Sequence, residues 1–175
     1  MIAGHLGIAL GARRFTRTVP IWLLLVAAQL PDWLDAGVCA VAPRYFNGQL
    51  LTHSIPAVVI AASALAALYA LRYREWDGAL IVALLVVSHI LADYLTGIKP
   101  TWPGGPRIGM GLYHDPVLDA AIEIVVVALG WMLYRQTIPE RWRSLRVAAI
   151  PLSLLVVGQL AVMAVALTGH MPAKC

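Results

Sequence analysis

The chain has 175 residues, 61% of them hydrophobic and 13% charged, with a mean hydropathy of +0.79. That composition excludes an ordinary soluble domain and fits one compact membrane domain over residues 1–175, too short for two. The net charge of +4 and pI near 9.4 would suggest nucleic acid in a soluble protein. In a membrane protein basic loops set orientation instead, so membrane lipids, and no nucleic acid, are the expected partners.

Residues 2–12, IAGHLGIALGA, form a short apolar stretch with Gly4, Gly7 and Gly11 and no basic region ahead of it. This is not the pattern of a cleaved signal peptide. At 1.5 Å per residue the stretch covers roughly 16 Å, too little to cross ~30 Å of hydrocarbon, which predicts a half-helix or a re-entrant segment. An apolar run at 19–42 carries PDWLD near its middle and is predicted to break at Pro31. Four longer runs follow at 50–71, 78–98, 116–134 and 147–168. The expected fold is therefore all-α: a polytopic helical bundle of about five transmembrane helices plus the short N-terminal piece. Cys39 and Cys175 are far apart in sequence and form no motif, so neither a disulfide nor a cysteine metal site is expected.

Basic residues orient the bundle. Arg13, Arg14, Arg17, Arg72, Arg74, Arg135, Arg141, Arg143 and Arg146 fall in three loops on one side, nine of the thirteen in the chain. Arg44, Lys99, Arg107 and Lys174 fall on the other. The first side is expected to be cytoplasmic, with both termini outside.

The apolar runs hold ionisable groups that lipid penalises. Asp32, Asp35, His53, His89, Asp93, Asp119 and Glu123 lie in them or at their mouths, His5 lies in the first segment, and His114 and Asp115 precede the run at 116–134. None of the five long runs contains Lys or Arg. Carboxylates at membrane depth persist only when paired, protonated or facing water, so the missing positive charge must come from elsewhere. A divalent metal suits a mixed His and Asp donor set. In the assigned topology these groups converge on the outer leaflet from segments more than a hundred residues apart. His89 and Asp93, at i and i+4, share a helix face, and Asp32 and Asp35, at i and i+3, do likewise. Each feature has a plainer reading: a bonded His–Asp pair, an N-cap at Asp32, an interfacial His53, a packing His5 between glycines. The conjunction of so many such groups on one face favours a metal site over all of these. Asp119 and Glu123 are extra ligands, residues that orient ligands, or protonated acids.

At these residues the chain resembles a known family. M-I-A-G-H, L-P-D-W-L-D, L-T-H-S, S-H-I-L-A-D and H-D-P occur in that order over about residues 1–120. They are similar to the LexA-regulated, YdjM-type inner-membrane proteins, a family described as metal-dependent hydrolases and distantly similar to zinc-dependent phospholipase C and P1-type nucleases. By that resemblance His5, Asp32, Asp35, His53, His89 and Asp93 match ligand-type positions, and Asp115 matches an aspartate before proline. The resemblance also implies a multi-pass protein of the bacterial inner membrane. Gly48 and Gln49 depart from it, standing where members often carry His-Arg.

The expected activity is hydrolysis of an amphiphilic lipid at the periplasmic face, with phosphoester cleavage ahead of ceramidase-like amide cleavage. One, two or more divalent ions, zinc or manganese, would sit on the six ligand residues. Asp115 is the candidate base, with His114 the runner-up. Lys99, Arg107 and Arg44 are candidates to meet an anionic headgroup from the Gly/Pro-rich loop 99–114 and its surroundings. A metal-ion or proton transporter and a non-catalytic protein with a structural metal are the alternatives.

Overall fold

A computed structural model describes residues 2–41, 51–143 and 145–168. Six α-helices make up nearly all of it: α1 (Ile2–Ala12), α2 (Ile21–Val41), α3 (Ile55–Tyr73), α4 (Trp76–Thr96), α5 (Pro116–Arg135) and α6 (Leu145–Leu167). Helices α2 to α5 are long and apolar enough to cross a membrane, and α1 is not. The all-α membrane bundle read from the sequence is therefore the fold of the protein.

The helix starts follow local chemistry. Pro56 sits in the first turn of α3, where its missing N–H costs nothing. The Glu75 side chain caps α4 by accepting from Gly78 N, and Asp115 caps α5 by accepting from Leu118 N. Glu75 also accepts from Thr18 at 2.8 Å and Tyr69 at 2.9 Å, and the Thr18 bond foremost holds its carboxyl below the ordinary glutamate range. That clasp joins the α1–α2 and α3–α4 connections. Arg14 Nε donates to Gln136 Oε1 at 3.2 Å and brings the α5–α6 connection to the same end. The basic loops thus share one end of the bundle.

Two expectations need correction. Helix α2 runs unbroken through Pro31, which is buried inside it. Proline removes the N–H that Ala27 O would otherwise accept and crowds the preceding turn, and packing of Leu24, Ala27 and Ala28 against Val58, Val82 and Val86 keeps that turn in place. The sequence reading expects no disulfide, and Cys39 is disulfide-bonded.

Helices α1 and α5 cross at backbone contact. A Cβ on Gly130 would run into Gly7 O, and one on Gly7 would lie 2.7 Å from Val127 Cα. Only glycine at both positions allows this approach, as in other small-residue helix contacts within membranes. At the opposite end from the basic loops, Lys99–Pro100 (β1) pairs antiparallel with Arg107–Ile108 (β2). Ile55 N donates to Thr101 O at 2.9 Å and Met110 N to Tyr94 O at 2.8 Å, so this hairpin is pinned across the ends of α3 and α4. Gly109, at φ +140°, makes the return, because a side chain there would strike Gly97 O.

Candidate metal centre

Four elements deliver the cluster. Helix α1 supplies His5, α2 Asp32, the short 3-10 turn Leu51–His53 supplies His53, and α4 supplies His89 and Asp93. His5, His53, His89 and Asp93 are almost fully buried, whereas the Asp32 side chain is 39% exposed and opens the cluster on one side.

The tautomers are fixed by the hydrogen bonds behind the rings. His89 Nδ1 lies 2.7 Å from Ala28 O, and a carbonyl can only accept, so Nδ1 carries the proton and Nε2 a lone pair. Thr52 Oγ1 donates to Asp35 Oδ1 at 2.6 Å, so the hydroxyl turns a lone pair toward His53 Nδ1 at 3.1 Å. His53 Nδ1 donates there, which again leaves Nε2 bare. The two bare nitrogens face each other at 3.3 Å, and Asp32 Oδ1 stands 3.1 Å from His53 Nε2 and 3.6 Å from His89 Nε2. With both rings neutral, three acceptors converge with no proton among them, which is repulsive unless a cation, a metal ion or a proton taken up by a ring, sits between them.

The triangle fits a metal. Tetrahedral coordination with nitrogen and oxygen at ~2.0–2.1 Å spaces ligand atoms roughly 3.3 Å apart, close to the three edges observed. The bonds from each Nδ1 to a carbonyl or a hydroxyl–carboxylate relay are those that orient metal-binding imidazoles. Asp93 Oδ2 approaches the same nitrogens at 3.5 and 3.7 Å.

A second group of possible ligand atoms comprises His5, His89 and Asp93. His5 Nε2 lies 3.3 Å from Asp93 Oδ1, and its ring stacks on His89 with centroids 3.8 Å apart. Because His89 Nδ1 is committed to Ala28, both groups depend on His89 Nε2. One lone pair serves one ion, so the two groups do not describe two independent sites.

The structure answers the missing-cation argument in part. Lys99 is buried, and its Nζ lies 2.7 Å from Asp93 Oδ2. The hairpin therefore supplies one positive charge to the cluster, but it supplies none to the Asp32–His53–His89 triangle.

The other sequence candidates are dispersed. Asp35 reaches the centre through Thr52 and belongs to neither group. His114 and Asp115 are exposed, with one Asp115 oxygen engaged in the α5 cap, and Arg107 is exposed on β2. Glu123 Oε2 accepts from Gly4 N at 3.0 Å, holding the start of α1 beside α5, and Asp119 is buried one turn before it. Arg44, Gly48 and Gln49 lie outside the described residues. Sequence reading missed Thr52 and Ala28 O. Thr52 was visible as the residue before His53 in L-T-H-S, whereas a backbone carbonyl leaves no mark in a sequence.

Fold and cluster together define a polytopic helical membrane protein with a buried His/Asp centre toward one end of its bundle. The YdjM inner membrane protein family matches residues 1–168, and the chain belongs to that family. No curated protein and no solved structure matches it.

Proposed function

We propose that this protein is a membrane-embedded, metal-dependent hydrolase that acts on a lipid, with phosphoester cleavage at the periplasmic face. The supporting observation is the triangle of Asp32 Oδ1, His53 Nε2 and His89 Nε2, three converging potential ligand atoms with tetrahedral spacing. When bound, a divalent ion there supplies Lewis acidity and activates water for attack. Ala28 O and the Thr52–Asp35 relay hold the two imidazoles in the ligating tautomer. Asp93 keeps the Lys99 ammonium beside the centre, where it meets an anionic headgroup together with Arg107 on the same hairpin. His114 and Asp115, exposed before α5, remain the candidates to move a proton, with one Asp115 oxygen already engaged in the helix cap.

The half-exposed Asp32 argues against a purely structural metal, since structural sites are closed. Transport is disfavoured by position. Among the described residues the buried His, Asp, Glu and Lys side chains are His5, His53, His89, Asp93, Lys99, Asp119 and Glu123, all in the half of the bundle away from the basic loops, so they mark no path across. One observation supports a periplasmic site: the basic loops lie at the opposite end of the bundle.

The test is metal content of detergent-purified protein beside His89→Ala and Asp32→Ala variants, followed by turnover of glycerophospholipids, sphingolipids and isoprenoid phosphates. Stoichiometric zinc or manganese in the wild type, lost in both variants, with release of a lipid headgroup, is the expected result. Protein that takes up neither ion after reconstitution would remove the proposal.

A further inference from the structure

Asp93 has neighbours of two kinds. Its Oδ1 lies 3.3 Å from His5 Nε2. Its Oδ2 lies 2.7 Å from Lys99 Nζ and 3.5 and 3.7 Å from the Nε2 atoms of His53 and His89. A carboxylate with one oxygen toward each of two groups of nitrogen ligands is suited to bridge a pair of ions, as in centres where two metals stand about 3.5–4 Å apart. The second half of such a pair is incomplete here. With His89 Nε2 committed to the triangle, His5 Nε2 and Asp93 Oδ1 are what remain of the other group. His5 Nδ1 is buried with no hydrogen-bond partner among the described residues. Nothing behind that ring holds it in a ligating tautomer, as Ala28 O and Thr52 hold the other two.

Lys99 brings a cation to the same carboxylate, and the fold fixes it there. The residue before a proline is confined to extended backbone, and Lys99 precedes Pro100 in β1. Gly111 N donates to Gly97 O at 3.3 Å on one side of Lys99, and Ile55 N to Thr101 O at 2.9 Å on the other. The strand thus carries a buried ammonium into the cluster, whereas Arg107 on β2 stays exposed. Lysine is almost never buried unless paired. Charge agrees. Among the described residues in and behind the centre, Asp32, Asp35 and Asp93 set three carboxylates against the one ammonium. One divalent ion balances the two negative charges that remain, and a second would leave uncompensated positive charge beside buried imidazoles. We propose that Lys99 is the second cation of this centre, and that its ammonium on Asp93 limits the protein to one metal ion. The proposal rests on the metal-centre reading above.

The experiment counts zinc per full-length chain in detergent after equilibrium dialysis, with zinc X-ray absorption on the same samples. Wild type is expected to hold one zinc and to show no zinc–zinc scattering. Lys99→Met should hold two, with a zinc–zinc distance of about 3.5–4 Å. Lys99→Gln, which keeps a hydrogen-bond donor toward Asp93, makes the same test should the methionine variant fail to fold. Lys99→Arg keeps the charge and should stay at one. Adding His5→Ala to either neutral variant should return the count to one. Two zinc ions in wild type overturn the proposal without recourse to any variant, and one zinc in a folded neutral variant overturns it equally. Zinc absent from wild type removes the metal centre itself and this proposal with it, a result distinct from the other two.

Discussion

At the residue scale, the centre is decided by which nitrogen of each histidine is free, and that is decided behind the ring. Thr52→Val keeps the size of the side chain but removes the acceptor that holds the His53 proton on Nδ1. Loss of such an outer hydrogen bond typically costs about 10–100-fold in metal affinity, and competition titration with a chromophoric chelator is expected to read a fall of that order. Lys99→Met acts differently. It leaves Asp93 buried without its ammonium, and breaking one side of a buried pair costs about 3–5 kcal/mol. Thermal unfolding in detergent should show that loss in metal-free protein and a larger gain on adding zinc than wild type shows, because an ion near Asp93 replaces the missing charge. An equal zinc response in the two proteins would mean that Asp93 does not sense the ion. The ligand types were legible in the sequence because His and Asp are conspicuous in apolar runs. The contribution of Lys99 was not, because it lies outside the helices and its position depends on a hairpin of two short strands.

At the element scale, α1 stands on glycines. Gly130→Ala forces a methyl group into Gly7 O, so α1 must move off α5, and His5 with it. Overpacking of a tight contact costs about 1–3 kcal/mol, against a gain of up to ~1 kcal/mol for alanine over glycine in a helix. A net loss of stability is therefore expected. Gly158→Ala, in α6 with open space around its Cβ position, serves as the control and should be neutral or slightly stabilising in the same melting assay. Hydropathy and run length placed the four candidate spanning helices, α2 to α5, because each membrane crossing needs about 20 apolar residues, a signal that survives any detail of packing. They failed at Pro31. Proline reports the loss of one hydrogen bond, and tertiary contacts on Leu24, Ala27 and Ala28 outweigh that loss.

At the scale of the whole molecule, the bundle is polarised: basic loops clasped together at one end, the titratable cluster and its hairpin toward the other. Single cysteines in a Cys39→Ala, Cys175→Ala background, one at Arg74 and one at Arg107, should react with a membrane-impermeant maleimide from opposite sides. In intact spheroplasts only the Arg107 position is expected to label. Labelling of the Arg74 position alone would place the centre at the cytoplasmic face. Sequence position alone carried this polarity, since charge in loops is read without any knowledge of packing.

The short first helix has a consequence for biogenesis. Gly4 emerges from the ribosome 119 residues ahead of Glu123, the side chain that anchors it. With roughly 16 Å of length, α1 cannot partition across the bilayer alone, and its seat on α5 does not exist until α5 has been inserted. The α5 contact that holds the start of α1 therefore forms late, after α2, the turn Leu51–His53 and α4 have supplied the Asp32–His53–His89 triangle. Asp32, 39% exposed, leaves that triangle open on one side, so the late arrival of α1 completes the surroundings of His5 and Asp93 without closing the triangle itself.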